Sequence, residues 1–170
     1  MLDIQVDIQG EKVILNNLQS FADTLPKAVQ RGLTRVAKGI HREAYEWLSG
    51  AGAKASNVPS GGYPVPVRSG HLRGHLNWLK PGETKAATEP SPLAESDSGK
   101  DPGFLVDGSF TAGDMEAVIY DSAIYSKAIH DGAGSSAKFG PRPFLVDALE
   151  RFNKGSRIEE IMAEEIETEI

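Results

Sequence analysis

The stretch NLQSFADTLPKAVQRGLTRVAKGIHREAYEWL, residues 17–48, decides how this chain folds. Within it Leu18, Phe21, Leu25, Val29, Leu33, Val36, Ile40 and Trp47 recur at steps of three, four or seven. That spacing puts them on one face of an α-helix, so the sequence predicts a long amphipathic helix over about 17–48. Asn16 or Asn17 is a candidate N-cap, because a short polar side chain accepts from the unpaired N–H groups of a first turn. Pro26 predicts a kink or a break, with Thr24 as a second candidate cap. Gly50 and Gly52 end the segment. Opposite the apolar face, Lys27, Arg31, Arg35, Lys38 and Arg42 form a basic stripe, five bases against Glu43 and Glu46.

On the N-terminal side, Leu2, Ile4, Val6 and Ile8 alternate with polar residues, the period of a half-buried strand that Gly10 stops. On the C-terminal side, 50–68 is rich in Gly, Pro, Ser and Ala and reads as loop. RSGHLRGHLNWL (68–79) offers a short helix or turn followed by a strand. Residues 81–103 have almost no apolar content and predict an extended polar loop, flexible or ordered by a partner. Phe104–Val106 and Glu116–Tyr120 read as strands, with turn signals at Asp107-Gly108 and Gly113-Asp114. A strand end or short helical turn follows, stopped by Gly132 and Gly134. The last segment is helical, with Leu145, Leu149 and Phe152 on one face and Ile158, Ile161, Met162 and Ile166 continuing it after Gly155. The sum is an α+β fold in a single domain over 1–170: a small antiparallel sheet packed against a long N-terminal helix and a C-terminal helix, with 81–103 as the polar loop.

Bulk properties narrow the function. A net charge of −6 argues against a general nucleic-acid binder. The absence of cysteine removes disulfides, thiolate catalysis and Cys-type zinc sites. The acidic N-terminus predicts no signal peptide, and no apolar run approaches the roughly 20 residues that span a bilayer, so the expectation is a soluble protein made inside a cell, with no membrane partner.

Candidate chemistry is sparse. His71 and His75 are four apart and could share a helix face as metal ligands, but the neighbouring Glu of a zinc-protease motif is missing and Gly74 weakens the helix. His130-Asp131 resembles an oriented base, yet it reads more simply as a turn before Gly132. Ser69, Ser109 and Ser122 lack a nucleophile-elbow context, and no glycine cluster matches a phosphate loop. The expectation is therefore no enzyme, no cofactor and no metal. The C-terminal segment 148–170 carries seven acids against Arg151, Lys154 and Arg157. Set beside the basic stripe, it suggests either two solvated faces or complementary surfaces that meet between neighbouring subunits; a stripe facing DNA is the weaker option.

FGPRPFLVDALERF (139–152) stiffens the backbone twice just before a helix. Pro141 and Pro143 fix φ near −65° and drive the residues before them out of the helical region. Pro143 suits a first helical turn, where its missing N–H is not needed. Phe144 and Leu145 would anchor the helix, and Arg142 would be presented at low entropic cost as a docking group.

Three segments in order, SGHLRGHL (69–76), VIYDSAIYSKAIHDGAG (118–134) and PRPFLVDALE (141–150), resemble the small neck or tail-completion proteins of long-tailed phages and prophages. Ser69, Gly70, Leu72 and Arg73 match that family's first turn. Tyr125 and Gly132 match its second motif, and Arg142, Pro143, Phe144 and Leu145 its third. The long polar insertion at 81–103, and His130-Asp131 before the glycine, depart from the pattern. The resemblance implies a virion structural protein of the neck or tail top, assembled in the host cytoplasm as a homo-oligomeric ring, six-fold in expectation, that joins head to tail beside other neck and tail proteins and lies near the DNA channel. A tail terminator capping the tube is the alternative, ahead of a DNA-binding or metal-dependent soluble protein. Arg73, Arg142 and Phe144 would hold subunit or interface geometry, and Lys27, Arg31, Arg35, Lys38 and Arg42 would make contacts.

Overall fold

In the computed structural model, which describes residues 11–48, 71–93, 105–132 and 141–168, the apolar face of the opening stretch becomes a spine. Helix α1 (Glu11–Leu48) is 38 residues long, about 57 Å at 1.5 Å per residue. It starts before the expected cap, so Asn16 and Asn17 lie inside it. The apolar run Val13–Leu15 and good helix formers carry the helix further than its polar caps suggested. Pro26 also lies inside, and the helix passes it without a break, leaving one carbonyl without its intrahelical donor. Thr24 is no second cap: its hydroxyl donates back to the Phe21 carbonyl at 3.2 Å. The strand expected at Leu2–Ile8, the loop 50–68 and residues 94–103 fall outside the described residues.

After α2 (His71–Gly74), strand β1 (Leu76–Leu79) pairs antiparallel with β4 (Val118–Asp121), Leu76 opposite Asp121 and Leu79 opposite Val118. A second two-stranded ladder joins β2 (Thr84–Ala86) to β3 (Ser109–Thr111). Its ends are extended by Gly82 N–H to Gly113 O at 3.0 Å and Ala87 N–H to Gly108 O at 2.9 Å. The first half of the expected polar loop is therefore a strand and its turns. Apolar content did not reveal it, because the ladder rests on backbone hydrogen bonds and on Lys85, whose ammonium lies 5.2 Å from the Trp78 ring centroid and donates to the Trp78 carbonyl at 3.1 Å. Of the two strands expected at 104–106 and 116–120, the second is β4, the first is reduced to a single bridge from Leu105 to Ala123, and β3 lies between the two turn signals.

The chain closes with α3 (Ser126–Asp131), α4 (Phe144–Phe152) and α5 (Arg157–Glu167). The main core joins Val36, Ile40, Ala44, Trp47 and Leu48 of α1 to Leu72, Leu76, Ala123, Phe144, Ala148 and Ile161. A smaller cluster of Leu79, Ala112 and Tyr120 lies under the second ladder, where Phe110 stacks on Tyr120 at 3.9 Å between centroids. In α4 the innermost residues are Phe144 and Ala148; Leu149, expected on the core face, is 43 % exposed. The turn before α4 sets that phase. Two glycines of α1 let the C-terminal helices approach: a methyl at Gly32 would meet Met162 Sδ at 2.5 Å, and one at Gly39 would overlap the Phe152 ring. The α4–α5 turn places Gly155 at φ 81° and Ser156 at φ 64°, and Asn153 Oδ1 accepts from the Ile158 N–H at 3.0 Å.

Candidate functional site

The first motif segment, some forty residues away in sequence, closes on the other two at the end of α1. Leu72 and Phe144 are buried together, and Tyr125, Ile129 and Leu145 pack against the same cluster. Arg73 lies over the Tyr45 ring, its guanidinium carbon 5.9 Å from the centroid. Gly132 ends α3 in the left-handed conformation, φ 68°, and its N–H returns to the last turn. The Arg142 N–H then donates to the Ile129 and His130 carbonyls at 3.2 and 3.1 Å. Pro143, at φ −75° and ψ 58°, is the centre of an inverse γ-turn closed by Phe144 N–H to Arg142 O at 2.7 Å. The two prolines thus dock one helix end onto the next and aim Phe144 into the core, where the His130 ring meets it edge-on at 5.6 Å.

This geometry corrects the expectation for Arg142. Its side chain is only 5 % exposed, because the turn that carries it is tied down on α3 and faces inward. It holds the subunit's own geometry and does not project as a docking group. Ser69 and Gly70 lie outside the described residues.

The basic stripe is corrected in part. Arg31 Nε pairs with Glu165 Oε2 at 2.8 Å, and Arg35 bridges Glu165 and Glu164 at 2.8 and 2.9 Å. The two arginines hold the Glu165 carboxyl below its ordinary value, Arg31 more strongly. These charges therefore meet within one chain, across the α1–α5 contact, because the glycines of α1 bring α5 alongside. Lys38 lies 5.2 Å from the Trp78 centroid, and Arg42 approaches Glu46 at 3.8 Å. Lys27 is exposed.

The histidine candidates separate. His75 is fully buried, while His130 Nδ1 sits 3.0 Å from Asp131 Oδ1 on a part-exposed helix end. Lys127, and then His130, hold the Asp131 carboxyl below its usual range. Among the described residues, no group of three His, Cys, Asp or Glu side chains is placed to hold a metal ion. Ser122 is fully buried and Ser109 exposed.

Sequence reading missed a row of buried polar groups beside β1 and β4. His41 Nε2–H donates to the Leu76 carbonyl at 3.0 Å and lies 3.2 Å from Ser91 Oγ. Burial keeps its imidazole below the ordinary value and so neutral. Asn77 donates to the Glu89 and Pro90 carbonyls at 3.3 and 3.0 Å, pinning 89–91 against β1. Asp121 Oδ1 accepts from the Ala123 N–H at 2.9 Å, but Oδ2 is closed off from solvent without a hydrogen-bond partner. Desolvation pushes this carboxyl up to about 8. In the sequence Asp121 shows only as a carboxylate set in the mostly apolar run AVIYDSAI, residues 117–124.

One surface stands out. Val13, Ile14, Leu15 and Leu18, in the first two turns of α1, are each 55–62 % exposed. Ile14, Leu18, Phe21 and Leu25 follow steps of four, three and four, the spacing of a helix–helix seam. The same stripe is covered by α4 and α5 further along the helix and uncovered here. Compared with known proteins, the chain matches no family model, no curated protein and no solved structure.

Proposed function

We propose that this chain is a structural subunit of a phage neck or tail top, joining head to tail as part of a homo-oligomeric ring and carrying out no chemistry. The observation that carries this reading is the uncovered apolar stripe at the start of α1, a seam that continues the core pattern beyond the chain's own core. Four large apolar side chains exposed on adjacent turns are unfavourable in water and favour a second helix against them. The resemblance of the three motif segments supplies the virion context, and their closure into one rigid corner suits a subunit that must keep its shape in an assembly. A ring needs contacts between two different patches that close on themselves.

Light scattering coupled to gel filtration tests the ring. The expected result is a discrete multiple of the 18.3 kDa chain, six-fold if the implied symmetry is right, with a ring visible by negative stain. Leu18→Asp should lower the mass without unfolding the subunit. A monomer at every concentration would overturn the proposal. Antibody labelling of virions then separates the neck from the tail tube, because the label should sit at the head–tail junction.

A further inference from the structure

Between the C-terminal turns of α1 and the α4–α5 turn lies an open-sided cleft of about 390 Å³, lined by Gly39, Arg42, Glu43, Glu46, Arg151, Phe152, Lys154 and Arg157. That volume falls in the range of about 300–1,000 Å³ common for binding sites. Four bases face two acids. Arg151 Nε is 3.0 Å from Glu43 Oε2, close but poorly aligned for a hydrogen bond, and its guanidinium also lies over the Trp47 ring at 5.6 Å. Arg42 reaches Glu46 only at 3.8 Å. Lys154 and Arg157 form no ion pair among the described residues, which leaves the cleft two positive charges in excess. Arg157 is held over the Phe152 ring at 5.5 Å, and that ring is seated against Gly39, where no larger side chain would admit it. The exposed cation is therefore positioned over a fixed ring.

We propose that this cleft receives the acidic outer face of α5 from a second copy of the chain. The same molecule supplies the complementary surface: Glu160 and Glu167, seven apart on one face of α5, are exposed and form no ion pair among the described residues. Arg31 and Arg35 already neutralise Glu164 and Glu165 within the chain, so on the outer face of α5 the acids left unpaired are Glu160 and Glu167, with Glu159 beside them. A cleft and a helix face are different patches, the arrangement a closing ring requires. A nucleic-acid backbone fits less well. Its continuous row of phosphates would pass Glu159 and Glu160 beside Arg157, whereas single carboxylate side chains can reach in. The inference rests on the ring reading above.

Charge reversal on each side tests it. Lys154→Glu with Arg157→Glu reverses the cleft; Glu160→Lys with Glu167→Lys reverses the helix face. All four side chains are exposed, so circular dichroism and melting temperature should stay near wild type. Each double variant alone should dissociate at least tenfold more readily by light scattering. A one-to-one mixture should reassemble, because every interface then pairs opposite charges again. Unchanged assembly of either variant, or failure of the mixture to reassemble, overturns the cleft proposal while leaving the ring intact. Loss of duplex-DNA binding by the cleft variant, with no change in assembly, overturns it in favour of a nucleic-acid site. A monomeric wild type removes the ring reading as well.

Discussion

Asp121→Asn should change how the protein's stability depends on pH. In the folded chain the Asp121 carboxyl is pushed up to about 8 from an ordinary value of 3.8, by burial of an oxygen that nothing donates to. The folded state therefore favours the protonated acid, whereas the unfolded chain ionises near 4. The contribution is fully favourable below the unfolded value and is lost as pH rises toward the folded one. Between those values each pH unit removes about 1.4 kcal/mol. His41 works in the opposite sense: its lowered value costs stability as pH falls below about 6.5. Glu165 and Asp131, held low by their partners, lose their contribution only in more acid solution. The window from pH 6.5 to 8 thus separates Asp121 from these groups, and over it the wild type should lose about 2 kcal/mol. With a urea slope of about 2 kcal/mol/M, the midpoint should fall by about 1 M. In the Asn variant, which keeps an oxygen for the Ala123 N–H but has no proton to lose, this drop should vanish. Equal slopes in the two proteins would refute the assignment, as would a carboxyl carbon resonance of Asp121 that titrates near 4.

Three further outcomes follow from the packing. Gly39→Ala should lower stability by about 1 kcal/mol in thermal melts, because overpacking against the Phe152 ring outweighs a gain in helix propensity of up to about 1 kcal/mol; a stabilised variant would show that the ring yields easily. Ser156→Gly should raise the urea midpoint by the equivalent of about 0.5–1 kcal/mol, since Ser156 sits at φ 64° with no side-chain cap bond; an unchanged midpoint would show that no strain is stored there. Arg142→Ala should cost about 2 kcal/mol or more of folding stability, because it empties a buried polar position, whereas a docking role alone would spare the melting temperature.

Much of the architecture was legible one element at a time. The helical spacing of Leu18 to Trp47 marked α1, the glycine at 132 marked the end of α3, and the turn pairs at 107–108 and 113–114 fell where the chain turns. Each of these signals is local: a periodicity, a residue tolerant of positive φ, a turn dipeptide. What failed depended on partners distant in sequence. Strand β2 has too few apolar residues to announce itself and exists because β3 and Trp78 are there to receive it. The phase of α4, which buries Ala148 and exposes Leu149, was set by the γ-turn at Pro143, a matter of ψ that a proline's fixed φ does not determine.

The amino-acid order by itself determined the class of the fold, the existence of its main helix and where that helix ends, and the clustering of opposite charges at the two ends of the chain, because propensity, periodicity and charge are properties of neighbours along the chain. Which charges meet was decided only in three dimensions. Gly32 and Gly39 admit α5 and α4 close to α1, so Arg31 and Arg35 are neutralised at home while Lys154 and Arg157 are left facing an open cleft. Burial of Arg142 and of the Asp121 Oδ2 atom was decided in the same way, since solvent exposure belongs to the packed whole and not to any residue's place in line.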